Sequence, residues 1–208
     1  MTQRVGLRHI AIYMRKPAIP YEDLSTYVEV DPDSKLVVDG QKVTYTQVNA
    51  FNLDWLRTPK TFTADYTIQF EVTCTGHRGN VLYNGDWYCL AVMNNATPYS
   101  STYCGGAILN EQLGVGPKLG IYQGSESGQY PQVRQAINQD QTYYCTLERI
   151  SGTLKLYIYT DSARTTLLAT LTSPTVLTTA GTQLFACSLG LGEESGWVSG
   201  YTERILVI

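Results

Sequence analysis

Charge is scarce in this chain. Asp, Glu, Lys and Arg make up 16% of its 208 residues, against roughly 25% in an average soluble domain. Fifteen basic and 18 acidic residues leave a net charge of −3. No basic field exists to hold a phosphate backbone, so nucleic-acid binding is not expected. Histidine is nearly absent: His9 and His77 are the only two. Neither lies in a triad-like context, and with no C-x-x-C pair a zinc site has too few ligands. The five cysteines, Cys74, Cys89, Cys104, Cys145 and Cys187, are odd in number and irregularly spaced, which argues against a disulfide framework. Four of them fall in apolar strand patterns and read as small buried hydrophobes of a protein made in a reducing cytoplasm. No apolar run approaches the ~20 residues of a membrane span. Ile10 to Met14 is too short for the core of a signal peptide. Neither secretion nor membrane insertion is therefore expected. Helical periodicity is also missing. At most a single turn fits near Asn52 to Leu56 or Gln132 to Ile137.

The place of charge is taken by Thr, Ser, Gln, Gly and 16 tyrosines, residues that suit pleated, half-buried surfaces. From Tyr66 to Cys74, apolar Tyr66, Ile68, Phe70, Val72 and Cys74 alternate with polar Thr67, Gln69, Glu71 and Thr73, the period of a strand with one wet face. Asp86 to Met93 is apolar nearly throughout, as in a central strand covered on both sides. Asn84-Gly85 before it reads as a tight turn from Val81-Leu82-Tyr83. Lys35 to Val38 and Lys42 to Tyr45 form a second hairpin around Asp39-Gly40.

Tyr143 to Thr160 allows the sharpest expectation. A two-residue turn at Ser151-Gly152 sets Ile150 opposite Thr153, Glu148 opposite Lys155, Thr146 opposite Tyr157 and Tyr144 opposite Tyr159. The other face then pairs Leu147 with Leu156 and Cys145 with Ile158. A slip of one residue would invert both faces. Further strands are expected at Thr166 to Leu171, at Phe185 to Leu191 with Phe185 and Cys187 on one face, and at Arg204 to Ile208. About a dozen strands with frequent turns indicate a two-sheet sandwich or barrel. Residues 1–26, with Pro17 and Pro20, read as an extended arm, and 27–208 as the sandwich.

Tyr143-Tyr144, Glu148-Arg149, Gly152, Tyr159, Asp161, Arg164-Thr165 and Leu167 together resemble the hairpin and following turn of concanavalin A-like, LamG-type jelly rolls, which occur in phage and bacterial surface proteins. The resemblance implies an all-β jelly-roll sandwich of two antiparallel sheets with a short N-terminal arm. Glucanases of that fold carry acids at alternate strand positions, because alternate residues share a face. Glu193 and Glu194 are adjacent and would face opposite ways. Glu126, Asp140 and Asp161 are isolated. Neither G-x-S-x-G nor a P-loop occurs, since Gly114-Val115-Gly116-Pro117 lacks the Lys and Ser/Thr. Catalysis is not expected.

The resemblance and these absences imply a non-catalytic virion subunit, such as a phage capsid decoration protein. It would be made in the host cytoplasm and act through protein contacts, as a homo-oligomer with three copies favoured. Its contact residues would be Arg4, Arg8 and Arg15 of the arm and the row Tyr144, Tyr157 and Tyr159, although these tyrosines could equally lie between the sheets. The alternative is a carbohydrate- or receptor-binding module of the tail-fibre type. Trp197, Trp87 and Tyr88 would then stack on sugar C–H faces, with Asn94 and Asn95 alongside. Trp197 follows Glu193 to Gly196 in an apparent loop, while Trp87 and Trp55 also suit a core. A glycosidase with an unrecognised site is the third reading. No cofactor is expected: Asp86, Asn94, Asn95 and Asp161 could ligate calcium, but they suit turn residues bonding their own backbone better. The sequon Asn95-Ala96-Thr97 carries no weight without secretion.

Overall fold

The computed structural model describes residues 20–48, 54–61, 65–78, 85–94, 104–112, 116–124, 133–174, 176, 183–187 and 197–208. Among these, fourteen strands form two antiparallel sheets of seven. The first sheet runs β1 (Val28–Val30), β4 (Trp55–Thr61), β13 (Gln183–Cys187), β6 (Gly85–Met93), β7 (Cys104–Gln112), β8 (Gly116–Gly124), β9 (Val133–Ala136). The second runs β12 (Leu167–Thr172), β11 (Thr153–Tyr159), β10 (Thr142–Ile150), β5 (Tyr66–Arg78), β14 (Trp197–Val207), β3 (Lys42–Val48), β2 (Leu36–Asp39). The chain passes between the sheets several times, as a jelly roll requires. No described helix is long and apolar enough to cross a membrane.

The β10–β11 hairpin has the expected register at every pair, from Ile150 with Thr153 to Tyr144 with Tyr159. Ser151 (φ 49°) and Gly152 (φ 82°) both take the left-handed conformation that a two-residue hairpin turn needs. Cys145, Leu147, Leu156 and Ile158 face inward and are buried in the core. Tyr144, Tyr157 and Tyr159 therefore lie on the outer face of the second sheet, each half-buried, which resolves the two placements open to them. The turn after β11 explains the rest of the motif. The Asp161 carboxylate accepts hydrogen bonds from the Thr165 amide (3.1 Å) and hydroxyl (2.9 Å) and from the Thr166 amide, while Arg164 sits at φ 54°. These donors pull the Asp161 carboxyl down to about 2, so the turn keeps its clasp in mild acid.

Between the sheets, Trp87 packs on Tyr45 with ring centroids 5.9 Å apart. A polar bridge crosses this core: the Thr202 hydroxyl of β14 donates to the Cys89 carbonyl of β6 at 2.8 Å. That carbonyl lies where β6 bulges against β7 between Tyr88 and Leu90. Thr202→Val keeps the shape and leaves the carbonyl without this donor, so urea unfolding should show a loss of about 1–3 kcal/mol. At Gly200 a Cβ would strike the Thr73 carbonyl oxygen, so β14 can approach β5 here only as glycine.

Several expectations fail for physical reasons. Val133–Ala136 and Trp55–Thr61 are strands rather than helical turns, because β8 and β13 offer them open edges to pair with. Gly85 is the first residue of β6, paired with Glu111, rather than part of a turn; Val81 to Asn84 lie outside the described residues. Phe185 and Cys187 do not share a face. Register shifts in β13 put Phe185 outside and Cys187 in the inter-sheet core. Leu24 and Tyr27 are also buried in that core.

Candidate functional site

A sandwich needs one apolar layer, between its sheets. This chain has a second. Trp55, Tyr88, Ala91, Met93, Ile108, Tyr122 and Phe185 form a separate buried cluster. Pairing places it on the face of the first sheet turned away from the second. Trp87, Leu90 and Val92 of β6 point into the core, whereas Tyr88, Ala91 and Met93 point outward, the alternation changing phase at the Cys89 bulge. On β8, Leu119 and Ile121 face the core and Tyr122 faces out.

Two rows build this face. Val28, Arg57, Phe185, Ala91, Gly106 and Tyr122 stand opposite one another across six strands. Tyr88, Ile108, Gly120 and Arg134 form the next. Ala91 and Gly106 keep the centre of the first row low, and a Cβ on Gly106 would meet the Leu90 carbonyl oxygen and, at 2.9 Å, the Ala91 Cα. The aromatic rings meet edge to face: Trp55 with Phe185 at 5.8 Å and 72°, Tyr88 with Tyr122 at 5.8 Å and 78°, the arrangement that ring quadrupoles favour.

Cationic side chains rim this floor. The Arg57 guanidinium lies 5.5 Å from the Trp55 ring centroid, within cation–π range. Arg134 lies beside Gly120, where an added Cβ would come within 3.0 Å of its Cγ. Lys118 alternates with Gly120 and Tyr122 along β8. All three cations are half-buried. No carboxylate is among the described side chains of this face. The arrangement sets cationic side chains around a buried aromatic layer, and among the described residues it holds no acid–base pair.

The residues singled out for sugar stacking lie apart among the described residues, whereas Tyr144, Tyr157 and Tyr159 share the outer face of the second sheet. Trp87 is in the inter-sheet core, fully buried. Tyr88 is in the outer cluster at 2% exposure. Trp197 is the first residue of β14 rather than part of a loop, half-buried on the second sheet against Gly76, where a Cβ would lie 3.3 Å from its ring. Asn94 follows β6, and its buried Oδ1 has no hydrogen-bond partner among the described residues. Asp86 pairs with Asn110 in β6–β7. Asn95 and Arg4, Arg8 and Arg15 lie outside the described residues. Among the described residues no group of three or more His, Cys, Asp or Glu is placed to hold a metal ion. Sequence reading missed Arg57, Lys118, Tyr122 and Arg134. The available signal was Lys118-Leu119-Gly120-Ile121-Tyr122, whose inward aliphatics alternate with a cation, a glycine and an aromatic.

No protein-family model matches the sequence, and no curated protein matches it. Solved structures do share the fold. A functionally unknown protein from Saccharomyces cerevisiae superposes with a TM-score of 0.62 at 12% identity, over 90% of this chain and 98% of that one. The exoplasmic/lumenal domain of VIP36, in its Ca2+/Man3GlcNAc-bound form, gives 0.59 at 11% identity, over 91% and 86%. The marine PL7 alginate lyase AlyA1 from Zobellia galactanivorans gives 0.55 at 11%, over 86% and 82%. These likenesses define the class: a concanavalin A-like jelly-roll sandwich. Identities this low establish the fold alone.

Proposed function

We propose that this protein binds glycans on the outer face of its first sheet, without cleaving them. The observation that carries this reading is the second aromatic layer of Trp55, Tyr88, Tyr122 and Phe185, away from the core and rimmed by Arg57, Lys118 and Arg134. Pyranose rings present C–H patches that pack on aromatic surfaces, and their hydroxyls or carboxylates accept hydrogen bonds from guanidinium and ammonium groups. Because the layer itself is buried, with Tyr88 at 2% and Phe185 at 0% exposure, contact falls to the side chains that rim it, and the rings serve as their packed support. Two proteins of the same fold, VIP36 with its bound Man3GlcNAc and the alginate lyase, handle saccharides, which supports the glycan-binding alternative over the virion subunit. The paired carboxylates of a retaining glycosidase have no counterpart among the described side chains of this face.

Affinity electrophoresis through neutral and uronate-containing polysaccharides tests the reading. Retardation by at least one class is expected. Arg134→Ala should weaken it about tenfold, the effect of roughly 1.4 kcal/mol, at an unchanged melting temperature. Trp197→Ala, on the other sheet, should leave it intact. No retardation across the panel, or equal loss in both variants, contradicts the proposal. Release of unsaturated sugar ends from alginate would contradict its non-catalytic part.

A further inference from the structure

Asp54 immediately precedes β4 and is wholly buried, at 0% exposure. The Asp33 amide donates to its Oδ1 at 3.2 Å. Its Oδ2 is buried with no donor among the described residues, and the Asp31 carboxyl stands within hydrogen-bonding reach of the Asp54 carboxyl. Asp31 is itself fixed, accepting from the Lys35 amide at 2.6 Å and the Leu36 amide at 3.2 Å, so it ties the β1–β2 turn together. Among the described residues, the titratable groups around Asp54 are Asp31 and Asp33 of that turn and the Cys187 thiol of β13, which also feels Glu29 of β1. A buried carboxyl oxygen with no donor, set beside a second carboxyl, favours keeping its proton, since ionising it would leave two like charges side by side. We infer that Asp54, against Asp31, forms a proton-dependent latch that clasps the β1–β2 turn onto the start of β4 and loosens when its proton is lost.

Burial, with the Asp31 and Asp33 charges adding to it, raises the Asp54 carboxyl to about 7 from its usual value near 3.8. The folded state therefore keeps a proton that the unfolded chain releases. The stability this pair contributes is fully present below pH ~4, declines as the pH climbs towards 7 and is lost above that, at a slope of about one decade of unfolding constant per pH unit. The latch adjoins the candidate site, because Trp55 follows Asp54 and pairs with Val30 of the three-residue edge strand β1. It does not depend on what that site binds.

Asp54→Asn supplies a permanent N–H donor in place of the titrating proton. Denaturant unfolding, followed by tryptophan fluorescence at pH 5 and pH 8, should show the wild-type unfolding constant rising about a hundredfold across the interval. The variant's constant should stay nearly level, leaving it the more stable of the two at pH 8. Asp31→Asn should behave alike and serves if Asp54→Asn does not fold. A variant with the wild-type pH dependence, or a wild type with none, overturns the latch. Calcium chloride that stabilises the wild type at pH 8 but not Asp54→Asn would also overturn it, by making the pair a cation site.

Discussion

Trp87→Ala should cost about 3–5 kcal/mol in urea or thermal unfolding, the loss typical of truncating a buried aromatic residue. Trp87 is fully buried and stacks at 46° on Tyr45, which reaches it from the opposite sheet. Removing the indole opens a void between two sheets whose backbones are held by their own ladders and cannot close in. A domain of ordinary stability has about 5–15 kcal/mol in total, so this one change would remove a large share of it. Trp87→Phe should recover most of the loss, because the indole N–H has no hydrogen-bond partner among the described residues. Trp197→Ala should cost about 1 kcal/mol or less, since that ring rests half-exposed on Gly76. The contrast separates a tryptophan of the core from one of the surface. It also means that lost glycan binding in Trp87→Ala would report unfolding rather than a missing contact.

Leu156→Ala should cost about 2–5 kcal/mol, whereas its neighbour Tyr157→Ala should cost about 1 kcal/mol or less, the scale of a cross-strand pair. Leu156 stands opposite Leu147 on β10 and Leu171 on β12 and is fully buried. Tyr157 stands opposite Thr146 on the outer face and reaches Glu148 with its hydroxyl. Because neighbouring strand residues face opposite sides, the ratio of these two losses reads the register directly. Equal losses, or a larger one at Tyr157, would mean a slip of one residue and an inverted sheet.

The β10–β11 hairpin was legible in the sequence because a two-residue turn fixes register and strict alternation fixes faces. The same logic works for β5, and β2 and β3 form the expected hairpin, although Asp39 pairs with Lys42 and the turn is Gly40-Gln41 rather than Asp39-Gly40. It fails where both faces of a strand are apolar. In Trp87-Tyr88-Cys89-Leu90-Ala91-Val92-Met93 alternation carries no sign of which side is the core, and the bulge at Cys89 changes the phase midway. The outer aromatic layer was invisible for that reason, and Tyr88 and Trp87 were grouped although they lie on opposite faces. Glu71 follows the alternation as an outward residue, yet it is 5% exposed. Arg204, held at φ 51° in a β14 bulge, swings its Nη1 to 3.2 Å from the Glu71 carboxylate and covers it. Such a contact depends on a backbone irregularity that no residue pattern announces. Asp31 and Asp54 meet only because β1 pairs with β4, a pairing between distant segments.

Amide chemical-shift mapping of isotope-labelled protein, titrated with a polysaccharide that retards it in gels, tests the glycan-face assignment most directly. Perturbations should centre on β4, β6, β7, β8 and β9, strongest near Arg57, Gly120, Tyr122 and Arg134. Perturbations confined to β10, β11 and β14, with the first sheet unmoved, would contradict it.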